Sequence, residues 1–224
     1  LTDVVTVPAG YTVTVLYRKG DPINSSVGAF RNDGTDTGYS NRAGDHGDAL
    51  YYYGLNAAGT ARDDTSNTRG LLVMNHENID AQYLHVNGPT SVGGVRPESE
   101  ALIEMENHGL SVIEVSRSAS GTWSYTVGSS FNRRITPLTP VVLSGVAAGS
   151  ALTKTKFDAK GINARGTLNN CGTGCTPWGT TLTGEENWAG YFTRVATDDA
   201  ARGNDKSVTS LKRYGRSQGA ASRH

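Results

Sequence analysis

Glycine interrupts this chain 28 times in 224 residues, against an average near ~7%, and between interruptions the apolar residues rarely outlast one short strand. Such a chain must build its core from short strands and tight turns, because helix and strand interiors are weakened by glycine while turns use it. No window approaches the ~18 continuous apolar residues of a membrane helix, so Val141–Val146 is at most a buried strand and the protein reads as soluble. The length permits one large domain or two small ones with a sizeable core.

Tyr11–Tyr17 alternates β-branched and aromatic residues with polar ones after a Pro-Ala-Gly turn, which predicts a strand. Gly20–Gly47 is too poor in apolar residues for a core element and predicts a long functional or mobile loop. Leu50–Leu55 and Arg69–Asn75 predict two strands opening a meander. Pro97–Asn107 predicts the one good helix: Pro and Glu open it, Ala101, Leu102 and Met105 share a face, and Gly109 stands as a stop. Leu110–Val115 and Trp123–Val127 predict a hairpin around Ser118–Gly121. Beyond Val195, Asp198–Gly203 reads as a polar turn or helix end and Ser207–Tyr214 as a last strand, after which Gly215–Gly219 adds no closing element. The expected class is mostly β, of sandwich, barrel or propeller type.

Several functions are disfavoured by what is missing. Acidic and basic residues balance at 21 each, without the electrostatic footprint of a nucleic-acid or anionic-membrane binder. Ser144 has Val142 and Val146 where a nucleophile elbow needs glycines. His76-Glu77 is followed by Asn78-Ile79-Asp80, not by the second histidine of a zinc protease, and no phosphate-binding loop motif occurs. The first residue, Leu1, follows no visible export signal, so compartment has to be inferred otherwise.

The densest chemistry lies between Asn169 and Glu186: Asn169-Asn170-Cys171-Gly172-Thr173-Gly174-Cys175-Thr176-Pro177-Trp178-Gly179-Thr180, then Leu182-Thr183-Gly184-Glu185-Glu186-Asn187. A glycine-rich turn can bend round an ion and present a thiol, and the following strand delivers two carboxylates. Adjacent strand residues face opposite ways, so one of Glu185 and Glu186 is expected in a shared site. Residue type alone leaves open that the glutamates are solvated and the cysteines pack in a turn. Glu77, with His76 beside it, is a further candidate ligand or a plain strand-end pair. One of Arg133 and Arg134 could meet a phosphate, the other being structural. Asp33, Asp36, Asp45 and Asp48 have the composition of a calcium loop without EF-hand spacing.

This segment resembles the signature of the PhoX-type alkaline phosphatases, which carry Asn-Asn-Cys, Thr-Pro-Trp-Gly-Thr and Leu-Thr-x-Glu-Glu-Asn in that order. Leu16-Tyr17-Arg18 with Gly20-Asp21-Pro22-Ile23, Gly70–Glu77, His108–Val112 and Asn132–Thr136 agree in sequence along the chain. The resemblance implies part of a β-propeller, an incomplete circle of blades with long loops and one short helix. It implies an enzyme exported to the periplasm or outside, hydrolysing phosphate monoesters with iron and calcium. Cys171 would be an iron ligand and Glu186 a carboxylate ligand, with Glu185 and Glu77 as further metal candidates and Arg133 toward substrate. Catalysis would then fall to Cys171, Glu186 and Arg133 around a metal-bound phosphate ester.

The pattern departs at Cys175, which leaves a Cys171–Cys175 disulfide as the alternative to a ligand. Family members are longer, so residues 1–224 are expected to be the N-terminal portion of one domain, completed by further sequence or a second chain. The competing functions are a non-catalytic exported calcium-binding propeller and a hydrolase of phosphodiesters.

Overall fold

The computed structural model describes residues 3–219; Leu1, Thr2 and the last five residues lie outside them. Strands hold 25% of residues and helices 14%, which sustains the mostly β expectation. β1 (Gly47–Gly54), β2 (Arg69–His76), β3 (Gly109–Arg117) and β4 (Trp123–Tyr125) form an antiparallel meander, with β5 (Arg133–Ile135) pairing the other half of β3. The turn expected at Ser118–Gly121 closes through the Gly121 amide on Ser118 O at 2.9 Å. Two ribbons follow: β6 (Pro140–Val142) with β7 (Asn163–Arg165), and β8 (Asn170–Cys175) with β9 (Thr181–Glu185).

Alternation along β3 sends its apolar residues to both faces, and both are covered. Leu110 and Val112 pack with Tyr53 and Val73 under Cys175 of β8. Ile113 and Val115 pack on the other face with Ile23, Leu16, Tyr17 and Trp123. Full burial of a side chain such as Ile113 contributes about 1.5–3 kcal/mol. Arg134 on β5 is buried. Its guanidinium donates to the carbonyls of Leu110, Arg42, Glu106 and His108, at 3.2, 2.5, 3.0 and 2.6 Å, with no acid among these partners. Burial lowers its pKa to about 10, still well above neutrality, so it remains a cation held by backbone dipoles.

Four expectations are corrected. Tyr11–Tyr17 forms no strand: no described strand pairs with it, and Tyr11, Val13 and Val15 are exposed. Alternation specifies which way side chains point, but a ladder needs a neighbour. Gly20–Gly47 does enter the core, through Ile23, Tyr39 and Ala43. What organises it is polar: Arg42 donates to Thr37 O, Gly20 O and Gly28 O, and Asp36 accepts from the amides of Arg31 and Asn32.

Ser207–Tyr214 is a helix, α3 (Lys206–Arg213), with Asp205 accepting from the Ser207 amide as its cap, Val208 buried, and Lys212 and Arg213 at its negative end. It adds to α1 (Glu98–Glu106), which matches the Pro97–Asn107 expectation, and to the short α2 (Asp198–Ala201), so there is more than one helix. α1 buries Glu104 against His85 and Arg96 and leaves Leu102 exposed, so its shared apolar face is only partly used.

Candidate metal centre

One end of the meander collects acidic groups. Gly47 pairs with His76 and the Glu77 amide donates to His46 O at 3.0 Å, so Asp48 at the start of β1 and Glu77 just past β2 are neighbours although far apart in sequence. Gly44 packs where a side chain would collide with the His76 ring and Asn107 O, which draws the preceding loop tight against this corner. His76 lies beneath, fully buried, with Nε2 at 3.0 Å from Ser111 Oγ. Burial first, then the Arg134 charge, holds its pKa well below the usual value, so it is neutral.

The β8–β9 ribbon lays the thiol over this corner. Asn169 adopts a positive φ of 54°, a conformation that asparagine tolerates better than most residues. Its carbonyl accepts from the Glu186 amide at 2.8 Å, which brings Glu186 opposite the Asn-Asn-Cys turn. The register slips between Asn170 and Thr173, and at that slip Cys171 turns toward the acids. Donor atoms of Asp48, Glu77 and Cys171 all lie within 4.8 Å of one another. Glu186 Oε1 accepts from Asn187 Nδ2 at 2.7 Å, and the nearby carboxylates of Asp48 and Glu186 push the Cys171 pKa up to about 12.

A thiol drawn together with the carboxylates of Asp48 and Glu77, and with Glu186 close by, forms a site of excess negative charge, which a polyvalent cation is suited to relieve. The donor set fits the metals expected from sequence in kind: a soft thiolate suits iron, and hard carboxylates suit iron or calcium. The other acidic cluster, His85, Glu100 and Glu104, already holds a cation, because Arg96 reaches Glu100 at 3.6 Å and Glu104 at 3.3 Å.

The remaining candidates are dispersed. Glu185 turns away from Cys171 and accepts from Thr167 Oγ1 and the Leu168 amide at 2.9 Å. It lines an apolar cavity of about 470 Å³ with Ile79, Met105, His108 and Trp188. Arg133 is exposed and donates to Phe131 O at 2.9 Å, and no described hydrogen bond or ion pair joins it to the cluster. Cys171 and Cys175 are both free thiols, and Cys175 packs toward the core.

Of the four aspartates, only Asp48 reaches the centre. Asp33 closes a turn on Thr35, Asp36 binds backbone amides, and Asp45 pairs with Lys19 at 2.5 Å. Nothing in the spacing of Asp48 singles it out; its place depends on the β1–β2 register. His108, whose Nδ1 lies 3.0 Å from Glu77 O, and Asn75 were likewise not picked out by the sequence as parts of the centre.

The fold and this corner define a mostly β protein with an anionic, thiol-bearing cluster whose donors could hold a metal ion. The chain belongs to the PhoX family: the family model for alkaline phosphatase PhoX matches residues 1–224. Among solved structures it is similar to Pseudomonas fluorescens PhoX in complex with vanadate, a transition state analogue, at a TM-score of 0.79 and 31% identity over 95% of this chain. It spans about a third of that protein, 34% of its length. No curated protein matches at a significant level.

Proposed function

We propose that this chain contributes Asp48, Glu77, Cys171 and Glu186 to the metal centre of an exported alkaline phosphatase acting on phosphate monoesters. The observation that carries the reading is the meeting of Asp48, Glu77 and Cys171 within 4.8 Å. Family membership and the vanadate complex of the Pseudomonas fluorescens protein support phosphoryl chemistry. Iron and calcium, when bound, would supply positive charge to phosphate oxygens and acidify a water molecule.

The residues themselves do the holding. Cys171 gives up its proton on binding a cation, which the surrounding carboxylates otherwise oppose. Asp48 and Glu77 are set by the β1–β2 register, and Glu186 by the Asn169 turn. Glu185 fixes the Thr167–Leu168 turn from the other side, and Arg133 offers an exposed guanidinium of the kind that grips phosphate oxygens in pairs.

One thiolate and three carboxylates are too few for several metals, so further ligands come from outside these residues. The separate sheets are then blades of a propeller completed there. Elemental analysis for iron and calcium on protein purified without chelator tests the reading, together with assays of a chromogenic phosphate monoester and a diester on the completed protein. Absence of iron with Cys171 free would move the reading to a calcium-binding propeller without catalysis. Turnover on the order of 1 per second from residues 1–224 alone would overturn the claim that the site is shared.

A further inference from the structure

We propose that Asn75 is the positioning residue that aims Cys171 at Asp48 and Glu77, a proposal that rests on the metal-centre reading above. Alternation on β2 sends Leu71, Val73 and Asn75 to the same face, and Leu71 and Val73 pack in the core beneath β8. A polar amide at the end of this apolar row, only 1% exposed, is unfavourable unless its donors and acceptor are used. They are used on the Cys171 turn. Asn75 Nδ2 donates to Cys171 O at 2.8 Å and to Gly172 O at 3.1 Å, and Asn75 Oδ1 accepts from Thr183 Oγ1 at 3.0 Å. The Thr183 hydroxyl in turn accepts from Asn170 Nδ2 at 2.9 Å.

The two carbonyls that Asn75 holds fall within the stretch where the β8 register slips, and Cys171 itself leaves the ladder there. Two residues further along its own strand direction, Asn75 is followed by His76 and then Glu77. A single buried side chain therefore ties the strand that leads into one candidate ligand to the turn that carries another. Two donors and one acceptor at this reach are what asparagine offers. Aspartate would set a carboxylate against two carbonyl oxygens, and leucine would leave both carbonyls without a partner.

The test uses the completed protein that carries these residues, titrated with Co²⁺, whose thiolate charge-transfer absorption reports sulfur coordination. The parent protein and Cys175→Ser should show the band, and Cys171→Ser should lack it. Asn75→Asp and Asn75→Leu should lose the band and bind Co²⁺ about 10- to 100-fold more weakly, as measured for residues that orient metal ligands, with far-UV circular dichroism unchanged. Thr183→Val, which removes only the hydroxyl that steadies Asn75, should weaken binding several-fold, about 3-fold or more, while keeping a folded chain.

No band in the completed parent protein, with the ligands from outside these residues present, means that Cys171 is no ligand, and both readings fall. A parent band that persists at full affinity in folded Asn75 variants overturns the positioning role alone. So does full affinity in Thr183→Val if the Asn75 variants fail to fold.

Discussion

Arg134 and Cys171 occupy opposite electrostatic situations in one small protein. Arg134 is a buried cation that no described salt bridge joins to an acid, yet four carbonyl dipoles complete its surroundings. Cys171 is a half-buried thiol with acids beside it, and no described salt bridge neutralises Asp48, Glu77 or Glu186. The first arrangement closes on itself and stabilises the meander. On the proposed reading the second would become favourable only when a cation binds, and that difference would separate a polar group kept for architecture from one kept for binding.

The contrast can be broken most forcefully at Arg134. Arg134→Met should lower stability by about 3 kcal/mol or more, because buried carbonyls lose their donors together; urea unfolding followed by tryptophan fluorescence measures it. A change under ~1 kcal/mol would mean that water takes over those carbonyls. Next in size is the effect of filling the anionic corner. At a metal concentration 100 times Kd, the unfolding free energy should rise by about 2.7 kcal/mol, and the rise should vanish in a Cys171→Ser, Glu77→Gln double variant in a thermal-shift titration.

A smaller effect should change sign with metal. Glu186→Gln relieves like-charge repulsion in the metal-free chain, so calorimetry in chelator should show a gain within ~0.5 kcal/mol, whereas the same change should lower the melting temperature of the metal-loaded chain. The smallest effect concerns an anion satisfied locally at the surface. Asp158 accepts from the amides of Asn163, Ile162 and Lys160, and these bonds, that from Asn163 foremost, lower its pKa from 3.8. Its hold on the β6–β7 turn is thus complete above that ordinary value and fades as pH falls through the lower folded one. The hydrogen-exchange protection factors of Ile162 and Asn163, which remove the intrinsic pH dependence of exchange, should fall over that acidic window and stay unchanged from there to neutrality.

What could be read from the sequence was whatever is carried by local pattern. The meander followed from alternation, α1 from Pro97, Glu98 and Gly109, and the Asn169–Glu186 stretch from the crowding of a thiol, glycines and carboxylates. Ser207–Tyr214 misled because Val208 and Thr209 favour strands, while the decisive group, the Asp205 cap, stands outside the run. The core role of Gly20–Gly47 was hidden because backbone bonds from Arg42 and Asp36, not apolar spacing, fold that loop. Asp48 and Asn75 could not be assigned for a different reason: each acts on a residue brought near only by tertiary pairing, and no spacing along the chain records that.

The centre draws its donors from three distant stretches, around Asp48, Glu77 and Cys171–Glu186. In kinetic language, the corner has a high contact order, and its loops must close before any two donors meet. On the proposed reading, metal would therefore arrive as a latch on a finished fold and could not serve as its nucleus. It should leave the refolding rate almost untouched and slow unfolding instead, so that a chelator added to the loaded protein acts on the lifetime of the native state.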